Sequence, residues 1–148
     1  MRKRRRSIYP RPKIGLQFVA HLPAMIRVLR ELGLTARRIL DCLELEHCRH
    51  GGRENGKLIC SYDDFERAGI QRSCIREGLD ELVAAGLIKI VRPGRRAYAD
   101  LRVPSMYRLT YLTTFQDSKW VEATHDWKTK YQAGIHHWYQ AGIHHSGG

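Results

Sequence analysis

The sequence predicts an α+β protein, mostly α with a small β-hairpin, carrying an extended basic arm in front and an aromatic, histidine-containing tail behind. Three observations point there. Apolar residues recur at helical spacing in segments closed by proline and glycine. Two short apolar runs flank a long basic loop. The excess of Lys and Arg is concentrated at the N-terminus. The expected divisions are residues 1–13 for the arm, 14–112 for the domain and 113–148 for the tail.

Pro23 and Gly33 bracket Met25, Ile26, Val28, Leu29 and Leu32, which predicts a first helix opened by a proline and closed by a glycine. Thr35 then offers an N-cap to a second helix, in which Ile39, Leu40, Leu43 and His47 fall on one face before Gly51-Gly52. After the polar turn Arg53-Glu54-Asn55-Gly56, the run Lys57-Leu58-Ile59-Cys60 suits a short strand. Ser61 followed three residues later by Asp64 has capping-box spacing, so a short helix runs from Tyr62 to about Ala68, where Gly69 ends it. A turn through Gly69-Ile70-Gln71-Arg72 leads into a longer helix ending near Ala85. Its apolar stripe is Ile75, Leu79, Leu82 and Val83, and Gly86 is its stop. Gly78 within it costs about 1 kcal/mol of helix propensity relative to Ala, and its missing side chain would let the preceding helix pack closely. Leu87 to Val91 and Met106 to Leu112 then form the antiparallel hairpin around a basic loop.

The chain has 148 residues, 43% of them hydrophobic and 28% charged, enough apolar material for one modest core and too much for a disordered chain. No apolar run approaches a membrane span, so no membrane partner is expected. The start Met1-Arg2-Lys3-Arg4-Arg5-Arg6 imitates the charged head of a signal peptide, but Ser7-Ile8-Tyr9-Pro10 follows in place of an apolar stretch. Secretion is not expected. Cys42, Cys48, Cys60 and Cys74 lack the close pairing of zinc sites and read as reduced, mostly structural thiols of a cytoplasmic protein.

Of the net charge of +11, +7 sits in the first 13 residues, on Arg2, Lys3, Arg4, Arg5, Arg6, Arg11 and Lys13. Pro10 and Pro12 keep this arm extended. Nucleic acid is its natural counterpart, because each phosphate it neutralises releases condensed counterions without any folded pocket. A solvated tail is the plainer alternative.

The segment Tyr62-Asp63-Asp64-Phe65-Glu66-Arg67-Ala68-Gly69-Ile70-Gln71-Arg72-Ser73-Cys74-Ile75-Arg76-Glu77-Gly78-Leu79-Asp80-Glu81-Leu82-Val83-Ala84-Ala85-Gly86-Leu87-Ile88, with the basic loop after it, resembles the winged helix-turn-helix domain of bacterial DNA-binding proteins. The pattern is similar to that of GntR-like and MarR-like regulators and of plasmid and phage replication-initiator modules. The core also resembles small proteins of proteobacterial mobile elements. The likeness covers residues 22–112. It implies DNA binding without naming an operator or a process. The expected function is sequence-specific binding of double-stranded DNA by a nucleoid-associated transcriptional regulator or replication or mobile-element accessory factor, with no enzymatic activity and no cofactor expected.

The residues agree with that implication. A helix burying Ile75, Leu79, Leu82 and Val83 turns Gln71, Arg72, Ser73, Arg76 and Glu77 outward. Arg can bond guanine bidentately, Gln can bond adenine, and Ser at a helix N-terminus suits a phosphate. These make the expected recognition helix. Arg92, Arg95, Arg96 and Arg102 on the hairpin make the expected wing, touching phosphate or the minor groove. A non-enzymatic adaptor that binds protein or structured RNA through the winged helix is the competing reading.

Weaker signals stay open. His136-His137 and His144-His145 belong to the repeat Tyr131–His137 and Tyr139–His145, for which a duplication or frayed terminus accounts as well as metal binding does; no metal is assigned. Trp120, Trp127, Trp138, Tyr131 and Tyr139 could stack on bases, pack on the core or form a homodimer contact. No phosphate loop, nucleophile–base pair or acidic metal cluster is visible. Asp63 and Asp64 diverge on a helix, and His47 and His50 read as core or helix-end residues.

Overall fold

The computed structural model describes residues 18–96 and 102–130. The chain forms α1 (Pro23–Glu31), α2 (Leu34–Arg49), β1 (Leu58–Ile59), α3 (Tyr62–Arg67), α4 (Arg72–Ala84) and β2 (Ile88–Arg92). Then follow β3 (Arg95–Arg96), β4 (Arg102–Val103), β5 (Met106–Leu109), β6 (Thr114–Gln116) and β7 (Lys119–Val121), and residues 127–130 are helical. The α+β class expected from the sequence holds. The sheet content among the described residues, however, is three small antiparallel sheets, where one hairpin and a separate short strand were expected.

α2 and α4 are the main packing pair. Ala36, Ile39, Leu40 and Leu43 meet Ile75, Leu79 and Leu82 in a core that also takes Met25, Phe65 and Tyr107. Each fully buried aliphatic side chain here contributes roughly 1.5–3 kcal/mol of transfer free energy. Gly78 faces α2, where a Cβ would lie 2.7 Å from Ile39 Cδ1 and 3.0 Å from Thr35 Cγ2. The close approach anticipated at Gly78 is therefore to α2 and not to α3, the helix directly before it in the chain.

Thr35 is not the N-cap of α2. It lies inside the helix, the cap position is Gly33, and the cap has no local side-chain acceptor. The acceptor comes from α4 instead, where Glu81 Oε1 takes the Gly33 N–H at 2.7 Å. The capping box at α3 forms as expected: Ser61 Oγ accepts the Asp64 N–H at 3.1 Å, and Asp64 Oδ2 accepts the Ser61 N–H at 2.7 Å. These bonds hold the Asp64 carboxyl below its ordinary range, the backbone bond from Ser61 first among them.

β5 is the middle strand of the main sheet, with order β1-β5-β2, so the short strand Leu58–Ile59 belongs to the same sheet as the hairpin. Asn55 completes it. Its buried amide accepts the Leu109 N–H at 2.8 Å and donates to the carbonyls of Leu109, Leu112 and Thr113. Residues 110–112, read as the end of a strand, form a turn.

Residues 113–130, assigned to a tail from the sequence, are folded. β6 and β7 join through Asp117 and Ser118, both at positive φ, as a two-residue hairpin of the primed type requires. Trp127 is 2% exposed within the core, whereas Trp120 is 55% exposed. Gly86 accommodates this strap: it has φ +75°, and a Cβ there would lie 2.8 Å from the Asp126 carbonyl and the Trp127 nitrogen. The helix stop is thus also a seat for the C-terminal segment. Tyr131, Trp138, Tyr139 and the four repeat histidines lie outside the described residues, as does the basic arm 1–13.

His47 is buried in the core with Nδ1 unpaired, while His50 bonds Glu46 at the end of α2. A second polar cluster, His21 and Tyr111 on Glu44 Oε1, pins the segment before α1 to α2. All four cysteines are unbridged. Among the described residues, no helix is long and apolar enough to cross a membrane.

Candidate nucleic-acid interface

Ile75, Leu79 and Leu82 face inward, and the opposite side of α4 is left open. Gln71, Arg72, Ser73, Arg76 and Glu77 are all exposed over its first two turns. Gly69, at φ +85°, reverses the chain out of α3 and sets where this surface begins.

Arg72 differs from its neighbours in that it is held. Its Nη1 donates to Asp63 Oδ1 at 2.9 Å and to Glu66 Oε2 at 3.0 Å, and its guanidinium lies over the Tyr62 ring, 5.5 Å from the centroid. The bond from Asp63, then that from Glu66, pushes the guanidinium pKa further up. Arg76 makes no ion pair among the described residues and projects from the open side of the helix.

Arg92, Arg95, Arg96 and Arg102 are likewise exposed. β3 pairs with β4 in the register Arg95↔Val103 and Arg96↔Arg102, which sets two like charges directly across from each other. Such a pairing destabilises a ladder unless an anion sits nearby. At the base of this hairpin the Gly94 N–H donates to Ser105 Oγ at 2.7 Å. A Cβ on Gly94 would lie 3.1 Å from the Val103 carbonyl. The loop tip, residues 97–101, lies outside the described residues.

An open cleft of about 530 Å³ separates the start of α3 from the arginine hairpin. Arg72, Arg95, Arg96 and Arg102 line it, with Asp63 as the single carboxylate among the described residues and Tyr62 on the wall. The sequence assigned Arg72 to one surface and the hairpin arginines to another; the fold brings them to one cleft. Tyr62 and Asp63 were not singled out as site residues. The signal that could have found them is the acidic helix start beside a basic turn, Asp63 to Arg72.

Cys60 and Tyr107 also border the cleft, and burial pushes each to about 12. Both stay protonated at neutral pH and supply no nucleophile there. Among the described residues no group of three or more His, Cys, Asp or Glu is placed to hold a metal. The chemistry this surface offers is multipoint cationic hydrogen bonding to an anion.

No protein-family model, no curated protein and no solved structure matches the chain.

Proposed function

We propose that this protein binds double-stranded DNA selectively, in the manner of a winged helix-turn-helix domain, and acts as a transcriptional regulator or as a replication or mobile-element accessory factor. The observation that carries the reading is the exposed first half of α4, which presents Gln71, Ser73, Arg76 and Glu77 beside a hairpin bearing four exposed arginines. Base-edge donors on a helix next to cationic strands match the division between base readout and backbone positioning seen in protein–DNA recognition. The arm adds charge that any phosphate backbone attracts.

Within this reading Arg76 is the principal base reader, because Arg72 is already bonded to two carboxylates. Arg92, Arg95, Arg96 and Arg102 act on the backbone. The test is selection of duplexes from a random pool. An enriched sequence is expected, and Arg76→Ala should weaken binding to it by about 1–3 kcal/mol while relaxing preference at a single base position. A pool that yields no enriched sequence would overturn the reading in favour of an adaptor for protein or structured RNA.

A further inference from the structure

The Asp63 carboxylate lies in a cleft whose charged lining among the described residues is otherwise four arginines, and its bond to Arg72 lies on exposed surface. Its side chain is 70% exposed, so burial does not account for its position. Arg96 and Arg102 oppose each other across the hairpin on the far wall of the same cleft. Three hairpin arginines and Arg72 thus border one concave volume in the ordinary size range of ligand sites. Arginine forks match phosphate oxygens bidentately, and a carboxylate is the nearest side-chain equivalent of such an anion.

We propose that this cleft is a phosphate site and that Asp63 occupies the anion's place in the unliganded protein. An arriving phosphate takes over Arg72 from Asp63, with Glu66 still holding the guanidinium from outside the cleft. Arg72 is then an anion ligand and not a reader of bases. The phosphate can belong to a nucleic-acid backbone or to a small phosphorylated molecule. Only the first source rests on the DNA-binding reading; the site itself does not.

Asp63→Asn and Glu66→Gln decide the matter, because they add the same charge and both remove a partner of Arg72, but only Asp63 lines the cleft. In calorimetric titration with inorganic pyrophosphate, Asp63→Asn should tighten binding by about three- to fivefold, the range expected from releasing an exposed ion pair. Glu66→Gln should change it by less than about twofold, since its charge acts from outside and is screened. Arg95→Ala with Arg102→Ala should abolish pyrophosphate binding. Equal effects of Asp63→Asn and Glu66→Gln, or pyrophosphate binding that survives loss of both hairpin arginines, would overturn the proposal.

Competition identifies the source. If pyrophosphate displaces a short mixed-sequence duplex, the natural ligand is a backbone phosphate; if both bind together, it is a small phosphorylated molecule. A protein that binds pyrophosphate as described but no duplex at all overturns the DNA-binding reading and leaves the phosphate site standing. A protein that binds duplex selectively but shows no pyrophosphate binding does the reverse.

Discussion

Glu81 on α4 caps α2: its Oε1 accepts the backbone N–H of Gly33, 2.7 Å away and 48 residues earlier in the chain. The start of α2 has no local side-chain cap, so the carboxylate both satisfies an orphan donor and sits at the positive end of the helix dipole. The same bond ties α4 to the start of α2. Glu81→Ala should cost about 1 kcal/mol in urea unfolding, the usual loss for a missing N-cap acceptor. Glu81→Gln keeps an acceptor oxygen and should cost less. Equal stability of wild type and Glu81→Ala would show that water replaces the bond without loss.

Gly78 is the point of closest approach between the two helices. Ala there recovers about 1 kcal/mol of helix propensity but forces its Cβ against Ile39 Cδ1, and overpacking costs about 1–3 kcal/mol. Gly78→Ala is therefore expected to destabilise. Ile39→Val removes the clashing methyl, so the double variant should be more stable than the sum of the two single effects predicts. Strict additivity in the double-mutant cycle would show that the helices separate instead.

Asn55 stands in for a strand at the end of β5. Asn55→Ala removes the acceptor of the buried Leu109 N–H and one donor shared among three carbonyls. About 3 kcal/mol should be lost, because unsatisfied buried groups cost roughly 1–3 kcal/mol each. Asn55→Asp keeps the acceptor but sets a buried carboxylate against the three carbonyl oxygens, and should cost at least as much as Asn55→Ala. Hydrogen exchange at the Leu109 amide reports the same loss locally.

His47 makes stability depend on pH. Burial lowers its pKa below the ordinary 6.5, opposed by the nearby Glu44 charge. The unfolded chain therefore takes up the proton first as pH falls. Stability is full above about pH 6.5 and declines below it toward the folded-state pKa, with a slope of at most about 1.4 kcal/mol per pH unit. His47→Leu also removes the unpaired Nδ1. Its unfolding free energy should fall less steeply between pH 7 and pH 5 than that of the wild type; parallel curves would assign the acid sensitivity to another group.

Several elements were legible in the sequence because the interactions that define them are local. Ser61 and Asp64 are three residues apart and bond each other reciprocally, so their spacing was enough to place the start of α3. Gly69 and Gly86 end helices because their positive φ values suit glycine, and the stripe Ile75, Leu79 and Leu82 follows from 3.6 residues per turn. The outward placement of Gln71, Arg72, Ser73, Arg76 and Glu77 is the complement of that stripe.

Tertiary structure decided what depends on residues far apart in the chain. Thr35 has the right chemistry for a cap and the wrong position, since Glu81 takes the role once α4 lies across α2. Trp127 becomes a core residue because Gly86 leaves room for the strap beneath it, and nothing near Trp127 in the sequence signals that room. Arg72 and the hairpin arginines meet Asp63 in one cleft because β5 returns the chain beside α3. Charge patterning gives the number of cations, whereas only packing determines which of them face the same anion.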